Sequence, residues 1–467
     1  MDVVFPKIPL YEGWGRPLRA ETTVTGLELV AGHVPESLVG SFYRAGPDRQ
    51  FPPSDGDDVF IDGEGMVHAF RFDADGLVSY RSRWVRTERF IAQERAGRSL
   101  FGRYRNRHTA LPEARGLHPG AANTTAFFHA GQLTVLKEDD LPYAVDPLTL
   151  ETLGRTDLGG QVTASCLAAH PKIDAATGEC LTFANQARGD ASRDVALYAF
   201  GPDGRKRQEN WFQAPSAGVV HDFGITDEHC VLPFFPLITD AKVLEAGGPF
   251  YQWHPDTPFR VAVLPRDGRG EPRWFEGPKN FSAGHMMNAF QEGTQVHLDV
   301  AMYDGNCFPF FPTPDGRTIG SGPPLLTRLT MDLADARGAI RMAPLMRRPG
   351  ELPRTDDRVQ GRPYRYGYEV SRSPDGFATI VRIDVTTGAM DAWNHGQPVS
   401  VHEPQFVPRH PGAAEGDGWL LVVLNRLDQG HSELAIFDAM DLAGGPVARL
   451  HLPVRVRSTF HGCWVPG

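Results

Sequence analysis

Four histidines in this chain lie in short segments whose residue types suit the wall of a metal site. They are His170 in AAHPK, His221 in VVHDF, His285 in GHMMN and His461 in TFHGCW. Their intervals of 51, 64 and 176 residues exclude a zinc-finger spacing and a His-x-x-x-His pair on one helix. Taken singly, each histidine is more often an ordinary surface or core residue than a metal ligand. If the four meet at one metal ion, the chain must close on itself, as a closed β architecture with a metal on its axis would do.

Short strands and turns dominate the sequence between these histidines. The chain has 50 glycines and 39 prolines among 467 residues, and turn sequences such as DADG (73–76), GPDG (201–204) and TPDG (313–316) recur. Runs rich in β-forming residues, such as GQLTVL, ELAIF and WLLVVL, lie between the turns. A helical pattern is predicted only over Thr87–Arg98 and, more weakly, over Asp240–Ala246.

The organisation of the chain favours one domain. No strict repeat with a period of about 40–50 residues is visible, so a regular array of the WD40 type is not indicated. A divergent propeller with blades of unequal length remains compatible with the pattern. Segments 345–364 and 408–418 are polar, contain proline and are predicted to be long loops. We therefore predict an all-β domain over residues 1–467 with large loops on one face.

The composition excludes several classes of partner. The formal net charge is −10 and no block of Lys or Arg stands out, so nucleic acid is not an expected partner. Five widely spaced cysteines without a Cys-x-x-Cys pair predict reduced thiols. The sequence shows neither a signal-peptide pattern nor an apolar run of about 18 residues. We therefore expect a cytoplasmic protein without stable membrane insertion.

Several longer segments carry a more specific pattern. GSFYRAGPDR (40–49), FIDGEGMVHAFRF (60–72), ANTTAFFHAGQLTVLKEDDLPYAVDPLTLETLG (122–154) and EPQFVP (403–408) occur in order with the four histidine segments. In these segments, which cover nearly the entire chain, the sequence resembles the carotenoid cleavage oxygenases, a family of iron(II) enzymes that split alkene bonds with O₂. The resemblance implies a seven-bladed β-propeller with a cap of loops and helices over the face that bears the iron.

The resemblance also implies a set of metal ligands. Four histidines bind Fe(II) in that family, and the matching residues here are His170, His221, His285 and His461. Four neutral imidazoles leave the metal its full positive charge and open coordination positions for O₂.

Three glutamates are implied as the acceptors that fix the ring orientation of these ligands. Taken alone, each would pass for a solvated loop acid. The matching residues are Glu138 in LKEDDLPY, Glu351 in PGELPR and Glu403 in HEPQFVP, and by chain order we pair them with His221, His285 and His461 respectively.

Two features depart from the family pattern. Gly284 and the pair Met286-Met287 stand where relatives often have an aromatic residue and β-branched residues, and Ala168 stands where a polar residue is common. None of these residues is a predicted ligand. We expect both features to alter the shape of the pocket beside the iron.

Within the family, SLFGRYRNRHTALPEARG (99–116) and residues 121–139 are most similar to bacterial lignostilbene dioxygenases and isoeugenol-type oxygenases. Those enzymes bind a para-hydroxylated aryl alkene through a tyrosine and a lysine, matched here by Tyr104 and Lys137. A phenolate held by both residues would push electron density into the alkene. Phe60 and Phe308 are predicted to stack on the aryl rings, although core packing explains Phe308 equally well.

One geometric conflict accompanies this interpretation. Lys137 and Glu138 are adjacent, and consecutive residues of a strand point to opposite faces. Both can serve one site only if the strand ends or bends at this point.

These observations predict a non-haem Fe(II) oxygenase of aromatic catabolism. Its expected partners are O₂ and a small 4-hydroxystilbene of the lignostilbene type, which it would cleave at the C=C bond to give aldehydes. An apocarotenoid is an alternative substrate, as is a phenylpropene such as isoeugenol or 4-vinylguaiacol. The apolar segment 231–250 is short and interrupted by Pro, Asp, Lys and Glu, which favours a phenol over a long polyene.

Alternatives from other classes are an inert propeller that serves as a binding scaffold and a metal hydrolase. The first would need neither the histidines nor the glutamates, and the second would normally have carboxylate ligands. The pattern leaves a homodimer open.

Overall fold

A computed structural model describes residues 3–54, 59–373, 376–396 and 398–467. These residues form mainly β-strands. The first nineteen are β1 (Thr22–Val24), β2 (Glu28–Gly32), β3 (Gly40–Asp48), β4 (Glu64–Phe72), β5 (Val78–Trp84), β6 (Thr125–His129), β7 (Gln132–Leu136), β8 (Tyr143–Val145), β9 (Thr152–Arg155), β10 (Lys172–Ile173), β11 (Cys180–Asn185), β12 (Asp194–Phe200), β13 (Lys206–Gln213), β14 (Gly218–Val219), β15 (Gly224–Ile225), β16 (His229–Ile238), β17 (Gln252–Trp253), β18 (Pro258–Pro265) and β19 (Arg273–Lys279). The others are β20 (Ser282–Glu292), β21 (Gln295–Tyr303), β22 (Leu325–Asp332), β23 (Ile340–Thr355), β24 (Tyr366–Ser373), β25 (Gly376–Asp384), β26 (Met390–Asn394), β27 (Val399–Val401), β28 (Gln405–Pro408), β29 (Gly418–Arg426), β30 (His431–Asp438), β31 (Pro446–Leu452) and β32 (Gly462–Pro466).

The described strands form six antiparallel sheets. Their orders are β1-β5-β4-β3-β32, β6-β7-β8-β9, β10-β11-β12-β13, β14-β16-β18-β19, β20 to β26 in sequence, and β2-β31-β30-β29-β27. The seven-stranded sheet is two four-stranded sheets that share the 16-residue β23, which pairs with β22 over 340–349 and with β24 over 350–355. The sheets therefore correspond to seven blades, and the predicted all-β propeller fold is confirmed.

Two blades combine strands that are far apart in the sequence. β3 pairs with β32, with Tyr43 opposite Cys463, and β2 pairs with β31, with Glu28 opposite His451. These pairings hold the first and last parts of the described chain together.

Apolar side chains pack between neighbouring blades, and β29 shows why whole strands are apolar. Leu420, Val422 and Leu424 face a core shared with β24 and β25, whereas Leu421 and Val423 face a core shared with β3 and β4. Because side chains alternate between two covered faces, the strand is a continuous apolar run.

The two predicted helices are confirmed as α1 (Glu88–Ala96) and α2 (Ala241–Glu245). The Thr87 hydroxyl accepts the Phe90 N–H at the start of α1, and Gly97 ends it with φ 66°. Short 3₁₀ helices occupy Pro9–Tyr11, Gly13–Gly15, Arg107–Thr109, Pro112–Ala114 and Asp357–Val359. In the described part of the chain, no helix is long and apolar enough to cross a membrane.

The predicted long loop at 345–364 is wrong over its first half, because residues up to Thr355 belong to β23. Its prolines are tolerated because the pairing register shifts between Leu325 and Thr327 and again between Glu351 and Arg354. At such irregularities the ladder does not need every backbone N–H. The segment between β28 and β29 is a loop, as predicted.

Candidate metal centre and substrate cavity

Each of the four predicted ligands lies beside a strand of a different blade. His170 lies two residues before β10, His221 lies between β14 and β15, His285 lies within β20, and His461 directly precedes β32. The pairing of β20 is irregular around His285, and such a bulge redirects a side chain. The His461 N–H donates to the Thr124 carbonyl at 3.1 Å, which holds the residue against β6.

The structure brings the four imidazoles together. The Nε2 atom of His221 lies 3.1 Å from Nε2 of His170 and 3.2 Å from Nε2 of His285, and one nitrogen from each of the four rings, His461 included, lies within 4.8 Å of the others. Two nitrogens that bind one ion at about 2.1 Å lie about 3.0 Å apart when they subtend a right angle. The donor set therefore fits a single transition-metal ion.

Burial keeps two of the four rings neutral. It lowers the pKa of His170 and of His461 well below the usual value, and the neighbouring imidazoles lower both further. Burial also acts on His285, but the Glu351 carboxylate outweighs it and raises that pKa. Neutral imidazole is the form that binds metals, so the site is prepared for a cation.

The glutamates lie behind the rings in the three pairs that chain order predicts. Glu138 Oε1 lies 3.4 Å from Nδ1 of His221, Glu351 Oε2 lies 3.0 Å from Nδ1 of His285, and Glu403 Oε1 lies 2.8 Å from Nδ1 of His461. A proton held on Nδ1 by a carboxylate leaves Nε2 unprotonated and directed at the cluster.

Further residues hold these carboxylates in place. Arg44 is fully buried, and its Nη1 donates to Glu403 Oε2 at 3.2 Å and to the Glu403 carbonyl at 3.0 Å. The Tyr303 hydroxyl donates to Glu351 Oε1 at 3.3 Å. Neither role was predicted, although Arg44 lies in the GSFYRAGPDR segment.

The structure explains why residue 284 is a glycine. A Cβ at this position would collide with Glu351 Oε1, so glycine leaves the space through which the carboxylate reaches the ring. The residue also lines the large cavity described below. Ala168, Met286 and Met287 instead pack into three hydrophobic cores, so their effect on the pocket is indirect.

Asp222 connects three of the ligand segments and was not assigned a role from the sequence. Its Oδ1 lies 2.7 Å from Lys172 Nζ, and its Oδ2 accepts the Met286 N–H at 2.9 Å. Lys172 lies two residues after one predicted ligand, while Asp222 and Met286 directly follow two others. The only signal in the sequence was that charged residues adjoin the histidines in HPK and HDF.

A cavity of about 700 Å³ opens from the histidine cluster. Its volume falls within the roughly 300–1,000 Å³ typical of small-molecule sites. Three of the four histidines, Glu138 and Glu351 form its floor, and the rest of the wall is rich in aromatic side chains: Phe60, Tyr104, Tyr251, Tyr303, Phe308, Phe310, Phe311 and Phe460.

Tyr104 and Lys137 both line this cavity, and both are buried. Lys137 Nζ lies 4.8 Å from the centre of the Tyr104 ring and 2.6 Å from Asp139 Oδ2. Strand β7 ends before both Lys137 and Glu138, which removes the conflict over strand alternation. Burial raises the pKa of Tyr104 well above its usual value, so its hydroxyl stays a hydrogen-bond donor.

The two predicted stacking residues lie on the aromatic side of the cavity. Phe60 is 51% exposed and makes edge contacts with Phe310 and Phe460 at centroid distances of 5.9 and 6.4 Å. Phe308 is partly buried and contacts Phe310 and Phe311. Phe310, Phe311 and Phe460 were not predicted; the FPFFP run was the only sequence signal for the first two, and Phe460 directly precedes the predicted ligand His461.

Comparison with known proteins identifies the family of this chain. The family model described as retinal pigment epithelial membrane protein matches residues 15–466. An isoeugenol monooxygenase of Pseudomonas nitroreducens is 40% identical, with 96% of each chain covered. Lignostilbene-α,β-dioxygenase isozyme III of Sphingomonas paucimobilis is 37% identical, over 98% of this chain and 97% of its own. The crystal structure of Pseudomonas brassicacearum lignostilbene dioxygenase superimposes with a TM-score of 0.97 at 41% identity, with both chains fully covered.

A seven-bladed propeller with four inward histidines and three supporting glutamates defines a class of metal-dependent oxygenase. The chain belongs to the carotenoid cleavage oxygenase family, as its sequence predicts. The relatives just described are oxygenases by name.

Proposed function

We propose that this protein is a non-haem Fe(II) oxygenase that cleaves the C=C bond of a 4-hydroxystilbene with O₂ and releases two aldehydes. The observation that carries the proposal is a buried lysine, Lys137, in the wall of an aromatic cavity that ends at four imidazoles. The similarity to a lignostilbene dioxygenase over the full chain supports the same substrate class.

The four histidines would hold the iron, and the three glutamates would fix the rings that face it. Bound iron would supply the redox chemistry that activates O₂ and leave open coordination positions for it. The choice of iron rests on the family, because a set of imidazoles also suits other transition metals. Arg44 and Tyr303 keep the carboxylates oriented, so that the donor set is formed before a metal binds.

Lys137 and Tyr104 would bind the phenolic oxygen. The ammonium and the hydroxyl donate charge-assisted hydrogen bonds to a phenolate, which strengthen as charge develops there. A phenolate conjugated with the alkene makes the double bond electron-rich, which favours its oxidation. The aromatic wall, with Phe60 and Phe308, would hold the rings and keep bulk water away.

A phenylpropene substrate is the second candidate, and the 40% identity to an isoeugenol monooxygenase favours it. It would use the same phenol contacts and leave the part of the cavity near Phe60 and Phe310 unfilled. An apocarotenoid fits the wall less well, because an apolar chain would cover the charged Lys137–Asp139 pair and offer it no further polar contact.

The test combines metal analysis with a substrate panel. Fe(II)-loaded protein is mixed without O₂ with a 4-hydroxystilbene, isoeugenol, 4-vinylguaiacol and an apocarotenal, then exposed to O₂, and the aldehydes are measured. We expect one iron per chain, fastest cleavage of the stilbene, and no turnover in His170→Ala. The matched control is His108→Ala, which replaces an exposed histidine. Fastest cleavage of the apocarotenal would refute the phenol assignment.

Three further predictions belong to the same proposal. Residues 1–467 would form one domain, the protein would act in the cytoplasm, and a homodimer remains the open alternative to a monomer. Proteolysis, fractionation and sedimentation measure these properties respectively.

A further inference from the structure

A second cavity adjoins the substrate cavity at residues 137–139. This second cavity has a volume of about 810 Å³. Glu138 lines both cavities, and Asp139 lines the second one. Its wall is rich in charged side chains, whereas the substrate cavity is largely aromatic. Exposed residues, among them Arg107 and Arg188, form part of the wall, so the second cavity is open to solvent.

Unpaired polar atoms mark the boundary between the two cavities. Arg105 Nε, Glu138 Oε2, Asp139 Oδ1 and Asp140 Oδ2 are buried and have no hydrogen-bond partner among the described protein atoms. All four residues line the second cavity. Buried polar groups in native proteins are nearly always hydrogen-bonded, to ordered water where protein partners are lacking. The second cavity is therefore a place where water contacts this wall.

Asp139 spans the boundary. Its Oδ2 lies 2.6 Å from Lys137 Nζ, and the two side chains are only 8% and 3% exposed. A void of about 20 Å³, room for about one water molecule, touches Lys137, Asp139 and Arg105. One carboxylate oxygen thus contacts the lysine of the phenol site, and the other is free to bind water of the second cavity.

We propose that Asp139 carries the phenolic proton from Lys137 to water in the second cavity. The inference rests on the proposed function, because it requires a phenol bound at Lys137. The Lys137 ammonium transfers one proton to the Asp139 carboxylate, which passes it to water. The neutral amine then takes the phenolic proton, leaving a phenolate beside the ammonium. One proton leaves for each phenol bound, and no electrons are exchanged.

A relay is needed because an ammonium cannot accept the phenolic proton. Phenol and lysine side chains have similar reference pKa values, about 10 and 10.4, so the proton must leave the pair if a phenolate is to form at neutral pH. The other carboxylates near this pair are engaged elsewhere: Glu138 with His221, Asp140 with Arg155 and Asp62 with Arg89. Among the described residues, the charged or titratable groups that interact with Asp139 or Lys137 include Tyr104, Arg105, Glu138, Asp140, Cys166, Asp62 and Arg89.

The first test uses the unmodified protein. Fe(II)-loaded protein without O₂ is mixed with a 4-hydroxystilbene in weak buffer at pH 7.5, and a pH indicator reports released protons. We expect about one proton per phenol bound and none with the 4-methoxy analogue. Binding of the phenol without proton release would overturn the relay.

The second test separates proton transfer from simple positioning. Asp139→Asn should lower kcat on the order of 100-fold, the usual size of a general acid–base contribution, at unchanged iron content. The loss should shrink for stilbenes whose phenol is made more acidic by ring fluorination. In Asp139→Ala, added formate can enter the second cavity and should restore activity at least about tenfold. Asp190→Asn, an acid in the same wall that pairs with Arg107, is the control and should behave as wild type.

The outcomes distinguish the two proposals. If kcat falls equally for all phenols and formate does not restore it, Asp139 only holds Lys137 in place, and the relay is overturned. Wild-type activity in Asp139→Asn would also overturn it while leaving the proposed function intact. Failure of the wild-type enzyme to cleave any phenolic alkene would overturn the proposed function and, with it, the relay.

Discussion

Replacing Asp222 with alanine should loosen three ligand segments at once. The side chain is 2% exposed, pairs with Lys172 Nζ at 2.7 Å and accepts the Met286 N–H at 2.9 Å. Its loss leaves an ammonium without a counter-charge in a nearly dry place, which costs about 3–5 kcal/mol for a fully buried pair. Because Lys172 is 12% exposed, water offsets part of this, and we expect about 3 kcal/mol.

The double variant Asp222→Ala/Lys172→Met makes this reasoning falsifiable. It removes both charges, so only the Met286 N–H loses its acceptor, at a cost of about 1–3 kcal/mol. Lys172→Met alone leaves the buried Asp222 carboxylate without its counter-charge, which also costs about 3 kcal/mol. Because the two single costs together exceed that of the double variant, denaturant unfolding of the metal-free protein should give a coupling free energy of about 3 kcal/mol or more. The same cycle on the exposed pair Asp315–Arg317 is the control and should give less than about 1 kcal/mol.

Metal titration supplies a second measurement of the role of Asp222. Because the Asp222 carboxylate joins the segments of three predicted ligands through its ion pair and its hydrogen bond, Asp222→Ala should weaken Fe(II) binding on the order of 10–100-fold. Single-variant effects that simply add, together with wild-type metal affinity, would refute the idea that Asp222 holds the ligand segments.

Four other predictions follow from the same structure. Glu403→Gln should weaken metal binding or activity on the order of 10–100-fold without unfolding the protein; full iron occupancy and full activity would contradict its assignment. Gly284→Ala should displace the Glu351 carboxylate and produce a similar loss in a metal titration, with little change in the unfolding midpoint. Lys137→Met should cut cleavage of a 4-hydroxystilbene roughly 10–150-fold, and wild type should lose as much on the phenol methyl ether. Burial, reinforced by Glu351, raises the pKa of Glu369 to about 8, so the folded protein keeps this carboxyl neutral where the unfolded chain ionises it. The free energy of unfolding should therefore be highest below about pH 4.3 and fall by roughly 5 kcal/mol as the pH rises towards 8. Unfolding of Glu369→Gln should lack this pH dependence.

The fold and the principal side chains could be predicted because their signals are local. The caps Thr87 and Asp240 mark the two α-helices, and ordered motifs mark the family. The histidine–glutamate pairs could be inferred because each residue lies in a short segment with distinctive neighbours. Their roles as ligands and acceptors remain predictions.

The supporting contacts could not be predicted, because they join residues that no pattern connects. Arg44 reaches Glu403 across 359 positions, and Asp222 reaches the Met286 N–H across 64. The proline-rich start of segment 345–364 was misassigned for a related reason. Whether proline is tolerated in a strand depends on the register of its neighbours, and register is a property of the assembled sheets.

The shared strand β23 has a consequence for how the two blades that it joins can open. A strand that pairs first with β22 and then with β24 cannot leave one blade without disturbing the other, so their amides should exchange with solvent as one cooperative unit. Glu351 lies one residue past the point where the strand changes partner. A transient opening of either blade would therefore displace the Glu351 carboxylate from His285. Because tight metal binding stabilises the closed form, it should slow hydrogen exchange in both blades, including strands far from the metal.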